Sequence, residues 1–145
     1  MQIIRLFIKN FKFIRQMEIK EIEKALILVG KNNTGKTAVL DAVRAVTGDY
    51  QVSTEDFNRQ KQRIEITVTL KISKEDLSML YQHKRVSAYR RYSVWYEEFC
   101  KRLPAYQGGC MTFTYTVNNV KKECYNDGYT KNNKYSKEVL PEVYY

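Results

Sequence analysis

The feature that most constrains this chain is the octapeptide Gly30-Lys31-Asn32-Asn33-Thr34-Gly35-Lys36-Thr37. It fits G-x-x-x-x-G-K-[ST] at every fixed position. A random chain of this size would match on the order of once in a few hundred. Its context narrows the reading further. Residues 25–29, Ala-Leu-Ile-Leu-Val, are apolar at every position and stop at Gly30, as a strand buried on both faces would. After the loop, Ala38, Val39, Ala42, Val43 and Val46 recur at helical spacing, with Asp41 and Arg44 on the other side. The helix is expected to begin near Gly35 and to end at Thr47-Gly48-Asp49.

Strand, glycine loop and helix in that order form a cradle for phosphates. Gly30 and Gly35 lack a Cβ, so backbone N–H groups can approach an anion closely. The open N–H groups and positive dipole end of the helix face the same point. Lys36 brings a mobile charge to the β- and γ-phosphates, and the Thr37 hydroxyl is a hard ligand for magnesium. The expected ligand is a nucleotide with Mg2+, held by Gly30, Lys31, Asn32, Asn33, Thr34, Gly35, Lys36 and Thr37.

The rest of the chain reads as α/β. Residues 2–9 alternate as a strand with Ile4, Leu6 and Ile8 on one face, a turn is expected at Lys9-Asn10, and a short strand follows over 15–19. A polar loop over 50–62 contains Glu55-Asp56-Phe57. Residues 63–72 alternate strictly, with Ile64, Ile66, Val68, Leu70 and Ile72 facing one way, which predicts an antiparallel strand with one wet face. Ser73-x-x-Asp76 resembles a capping box. From it one long helix is expected, its stripe running through Leu77, Leu80, Tyr81, Lys84, Ala88, Tyr92, Trp95, Phe99 and Leu103 to Pro104. Residues 111–125 predict a hairpin around Asn118-Asn119 with Phe113, Tyr115, Val117, Val120 and Cys124 on one face. Turns follow at Asn126-Asp127-Gly128 and over 131–134, and Val139-Leu140-Pro141 onward reads as the start of a strand. A domain seldom stops on such a strand, so the 145 residues are expected to be the N-terminal piece of something longer.

The phrase Ile8-Lys9-Asn10-Phe11-Lys12 ahead of Gly-Lys-Asn-Asn-Thr-Gly-Lys-Thr resembles the N-terminal lobe of the RecF/SMC-type branch of ABC ATPases. That branch opens on I-x-N-F-[RK] and carries an Asn two residues after the first loop glycine, here Asn32. Many members follow it with Gly, where this chain has Asn33. The Asn-Asn pair, Leu40-Asp41-Ala42-Val43, Glu55-Asp56-Phe57 and the strand over 63–72 are more similar to overcoming-lysogenization-defect (OLD) ATP-dependent endonucleases, the group that includes the nuclease subunit of Gabija anti-phage systems. The resemblance implies a P-loop NTPase of ABC-ATPase-like N-terminal lobe type with a mixed sheet that has an antiparallel portion. It covers 1–72 well, gives way to a variable helix and hairpin insertion over 73–135, and returns at 136–145 as the next core strand. It implies ATP as the nucleotide, paired heads in a homodimer or higher oligomer, and DNA as a partner of the full-length protein. Lys12 matches the [RK] position and is a candidate for approaching the nucleotide, with a solvated lysine as the alternative. The signature segment, acidic Walker B strand, switch histidine and TOPRIM acids of these proteins are not found in the sequence. This chain alone is therefore expected to bind ATP but hydrolyse it poorly or not at all.

Composition bears on the remaining classes. No apolar run is long enough to span a bilayer and no signal peptide is visible. Cys100, Cys110 and Cys124 are widely spaced and odd in number, and His83 is the single histidine, so free thiols in a reducing cytoplasm are expected rather than zinc or disulfides. The net charge of +9 raises the expectation of polyanion partners. Cations at His83-Lys84-Arg85, Arg90-Arg91 and Lys101-Arg102 interleave with aromatics; Tyr92, Trp95 and Phe99 are read as packing on the core and the cations as a solvated face, with nucleic-acid contact as the alternative. A stand-alone nucleotide-sensing or DNA-binding module is the competing function. A kinase or GTPase is disfavoured because no N-K-x-D motif occurs.

Overall fold

The computed structural model describes residues 1–20, 33–58, 63–118 and 122–143. Five strands form one sheet in the order β2-β1-β3-β4-β5. They are β1 (Gln2–Phe11), β2 (Ile14–Ile19), β3 (Arg63–Lys71), β4 (Cys110–Asn118) and β5 (Glu123–Asn126). Every pairing between them is antiparallel. The sheet expected to be mixed is thus antiparallel throughout its described strands, and the apolar run at 25–29 lies outside the described residues.

Strand β3 is central, and its burial alternates as its sequence does: Ile64, Ile66, Val68 and Leu70 are buried while Thr67 and Thr69 face the wetter side. There the hydroxyls of Thr67 and Thr114, and of Thr69 and Thr112, pair across β3 and β4 at 3.0 and 3.1 Å. The buried face joins helix α1 (Asn33–Thr47), helix α2 (Lys74–Gln82), helix α3 (Tyr92–Arg102) and the C-terminal turns in one apolar cluster. Its largest members include Trp95, Tyr115, Phe11, Phe99 and Phe113, all fully buried.

Four expectations change. The first strand does not turn at Lys9-Asn10 but runs on to Phe11, and the chain reverses over Lys12 and Phe13. Asn10 does adopt a φ of 60°, which breaks the pleat and lets Ile8 and Phe11 both bury. The single long helix over 73–103 is two helices. Lys84 and Val86 have φ of 56° and 69°, values no helix accommodates, and Val86 is buried in the break. The break is fastened by Trp95 Nε1 donating to the Arg85 carbonyl at 2.8 Å and by Tyr81 Oη donating to the Arg90 carbonyl at 2.6 Å. The periodic stripe passed through Lys84 and Ala88, which contribute little apolar surface, so nothing holds one straight helix against the sheet there.

The hairpin of β4 and β5 has a wider loop than a turn on Asn118-Asn119 requires. Val117 pairs with Glu123 and Tyr115 with Tyr125. Relative to the expected register the shift is odd, so it exchanges the faces of β5. Tyr125 enters the core and Cys124 leaves it; Val120 lies outside the described residues. Finally, the C-terminal segment is not strand but helix α4 (Ser136–Val139) followed by a 3-10 turn (Leu140–Glu142). Pro141 sits in the first turn of the latter, where its missing N–H costs nothing. Val139 and Leu140 are buried, and Val143 is the first extended residue after the turn.

Candidate nucleotide site

Helix α1 begins at Asn33, two residues ahead of the expected start. It ends as expected. Gly48 takes a φ of 95° and the Asp49 N–H returns to the Arg44 carbonyl at 2.8 Å, the bond of a Schellman cap. Gly30, Lys31 and Asn32 lie outside the described residues, and of Asn33 and Thr34 only the helical backbone is described. At the start of α1, Gly35 is buried while Lys36 and Thr37 are exposed. A buried glycine beside an exposed ammonium and an exposed hydroxyl at a helix N-terminus suits a magnesium nucleotide, since Mg2+ takes one or two protein oxygens and completes its shell with phosphate and water. Among the described residues no cluster of three His, Cys, Asp or Glu forms a metal site of its own.

Lys12 is not a solvated lysine. Its ammonium stands 2.7 Å from Asp41 Oδ2 on α1, and its side chain keeps 26% of its exposure. It also lies 5.0 Å from the Tyr50 ring centroid and 5.7 Å from that of Phe11. Burial on its own would lower the Lys12 pKa. The hydrogen bond and charge of Asp41, with the Tyr50 hydroxyl, outweigh it and hold the ammonium above the usual lysine value. The backbone is pinned as well: the Lys12 N–H donates to the Asp56 carbonyl, and Asn58 Nδ2 donates to the Lys12 carbonyl at 2.8 Å.

The apolar periodicity predicts Asp41 on the outer side of its helix, and residues 50–62 read as a polar loop. Asp41 is instead 7% exposed, with Arg44 3.5 Å from its second oxygen. Asp56 and Asn58 are buried too, and Phe57 bridges to Phe11. Asp56 accepts from the Ser53 N–H at 2.8 Å and from the Tyr50 hydroxyl at 2.9 Å. Burial first, then this bond to Asp56, pushes the Tyr50 phenol up. A signal for this fold of the loop existed: Ser53-x-x-Asp56 repeats the Ser73-x-x-Asp76 spacing, and at the latter Asp76 and Ser73 also bond reciprocally.

In the basic aromatic segment part of the aromatic stripe packs inward, while Lys84, Arg90, Arg91 and Lys101 stay exposed. Trp95 and Phe99 are fully buried and stacked at 5.1 Å, while Tyr92 remains 39% exposed. Arg85 pairs with Glu142 at 2.8 Å, His83 meets the same carboxylate at 3.2 Å, and Arg102 pairs with Glu98 at 3.2 Å. The three cysteines are free thiols. Among the described residues no helix is long and apolar enough to cross a membrane.

A family model described as an AAA ATPase domain matches residues 1–142. No curated protein matches in sequence. Among solved structures, one from a study of ATP-driven dimerization and DNA-stimulated activation of SMC ATPases is similar with a TM-score of 0.62 at 13% identity, over 97% of this chain and 78% of that one. An SMC head bound to the C-terminal winged-helix domain of ScpA gives a TM-score of 0.57 at 12% identity, over 97% of this chain and 40% of that one. The SMC head with coiled coil and joint derived from Pyrococcus yayanosii also gives 0.57 at 12% identity, and this chain spans 25% of its length. These similarities show a shared fold.

Proposed function

The chain belongs to the AAA ATPase domain family, and from that premise we propose that it uses ATP and Mg2+ at the loop over 30–37 to gate a DNA-processing activity of a longer protein. The observation that carries the reading is the start of α1. Gly35, Lys36 and Thr37 stand there in the order a phosphate cradle needs, on a helix packed against β1 and β3. Gly30, Lys31, Asn32, Asn33 and Thr34 supply the backbone wrap, Lys36 the charge on the β- and γ-phosphates, and Thr37 the magnesium ligand. A magnesium ion held by the Thr37 hydroxyl would offset the negative charge of the phosphates. Lys12, held beside α1, adds a further cation toward the nucleotide.

The finer assignment is an OLD-like ATP-dependent endonuclease, with anti-phage defence as its setting and paired heads as its working form. It rests on Asn32-Asn33, Leu40-Asp41-Ala42-Val43 and Glu55-Asp56-Phe57. The SMC structures support the fold of a head, and the ATP-driven dimerization described for one of them motivates the same proposal here. The test is a cleavage assay on the full-length product, with supercoiled and linear DNA, with and without ATP. Cleavage that depends on ATP and is lost in Lys36→Ala supports the endonuclease. An intact ATPase with no cleavage keeps the ATP site and discards the nuclease.

A further inference from the structure

The structure assigns Asp41 a positioning role: its buried carboxylate holds the Lys12 ammonium in place beside the Thr37 end of α1, where the ammonium meets the phosphates of the nucleotide. The assignment rests on the nucleotide site proposed above and adds a residue to it.

Three observations carry it. The first is place. Asp41 follows Thr37 by four residues, so both lie on one face of α1 about 6 Å apart along its axis. A cation on Asp41 therefore sits about one helical turn from the magnesium-ligating hydroxyl. The second is the cost of putting a lysine there. Lys12 takes a φ of 54° at the first position of a two-residue turn, a place where glycine is favoured. A non-glycine residue in that region is strained and persists where its surroundings over-determine it. Here they do, through the Asp56 carbonyl, Asn58, the Tyr50 and Phe11 rings, and Asp41. None of those contacts except the last two kinds needs an ammonium, so the side chain is what the strained position preserves.

The third is valence. A lysine ammonium has three N–H donors. Asp41 takes one at 2.7 Å and the Tyr50 hydroxyl engages a second, and the 26% of the side chain left exposed gives an anion access to the third. The pair is therefore not a closed ion pair that phosphate must break. The backbone of Lys12 is fixed at both its N–H and its carbonyl, so the residue cannot swing out as a unit. Asp41 in turn has both oxygens engaged, Oδ2 by Lys12 and Oδ1 by Arg44 at 3.5 Å, which fixes the carboxylate. An ammonium pre-oriented in this way meets the nucleotide without first losing its rotamer freedom.

The experiment is a Mg-ATP titration of the chain and its variants, with the melting temperature of each. Lys12→Met weakens binding about tenfold, as loss of one charged hydrogen bond would. Asp41→Asn, which keeps shape and removes charge, weakens it by a similar factor. Asp41→Glu retains most of the affinity. The double variant Lys12→Met with Asp41→Asn is no weaker than Lys12→Met alone, because the two residues act as a unit. Asp41→Asn with unchanged or tighter binding overturns the positioning role, as do losses that multiply in the double variant. Unchanged binding in Lys12→Met, with Lys36→Ala still defective, removes Lys12 from the nucleotide site and leaves the loop intact. Loss of the Lys36→Ala effect as well removes the site itself. Should Asp41→Asn fail to fold, the unmodified chain carries the test: with 15N-labelled lysine, the Lys12 Nζ resonance shifts on adding Mg-ATP while staying protected from water exchange. An unmoved resonance overturns the inference.

Discussion

Among the ionic contacts that fasten distant parts of the described chain, two are built differently. Lys12 and Asp41 join the β1–β2 turn to α1 with side chains 26% and 9% exposed, ringed by Tyr50 and Phe11 and backed by Asp56 and Asn58. Arg85 and Glu142 join the α2–α3 connection to the C-terminal turn with side chains 40% and 22% exposed. The first spends backbone strain and buried polar groups to fix one ammonium against α1. The second clips a wet rim whose strength comes from Trp95 and Phe99 beneath it. Similar chemistry at 2.7 and 2.8 Å thus has two uses, geometry in one region and closure in the other.

The comparison breaks most visibly at the apolar side of the rim. Trp95→Ala removes a fully buried ring and leaves the Arg85 carbonyl without its 2.8 Å donor. A loss of about 3–5 kcal/mol is expected by urea unfolding. ATP affinity of the folded fraction stays within about twofold of the parent if the two regions are separate. Coupled losses would join them.

On the other side, Asp56→Ala strips the partner from the Ser53 N–H and the Tyr50 hydroxyl within a buried network. About 1–3 kcal/mol of stability should go with it. Because the Asp56 carboxylate anchors the Tyr50 hydroxyl, and the Tyr50 ring packs on the Lys12 ammonium, ATP binding should weaken too, which Trp95→Ala does not predict.

The smallest effect is expected at Glu142→Gln, at most about 1 kcal/mol, since the pair is partly exposed and screened. Acid should reproduce it. Burial alone would raise the Glu142 pKa, but hydrogen bonds from Arg85 and His83 outweigh that and hold it below its usual 4.5. A carboxylate depressed on folding stabilises above its unfolded pKa and loses that contribution as pH falls through the folded one. Asp76, held low by Ser73 and the Met1 amine against its own burial, follows the same sign. A hydrogen-exchange profile should therefore show α2 and the C-terminal turn loosening below about pH 4, ahead of β3. Uniform loosening would contradict the separation.

The same contrast explains what the sequence made legible. Strand β3 was readable because its alternation is a property of the strand alone, and the ends of α1 because Gly48 and the loop residues are local devices. The two-helix break was not, because it depends on Val86 and Trp95 finding each other's surroundings across the chain. The β5 faces were not, because loop length sets register and an odd shift reverses every side chain. At the site, the residue types over 30–37 were readable from their motif. Lys12 was visible as a candidate through resemblance alone, and Asp41 was hidden because a carboxylate on a helix's polar side ordinarily faces water until a cation from elsewhere covers it.

The most direct measurement is the calorimetric titration of the purified chain with Mg-ATP, beside Lys36→Ala at matched melting temperature. Saturable binding by the parent, weakened at least about a hundredfold in the variant, is what a phosphate cradle at 30–37 predicts. Equal binding by both chains would contradict it.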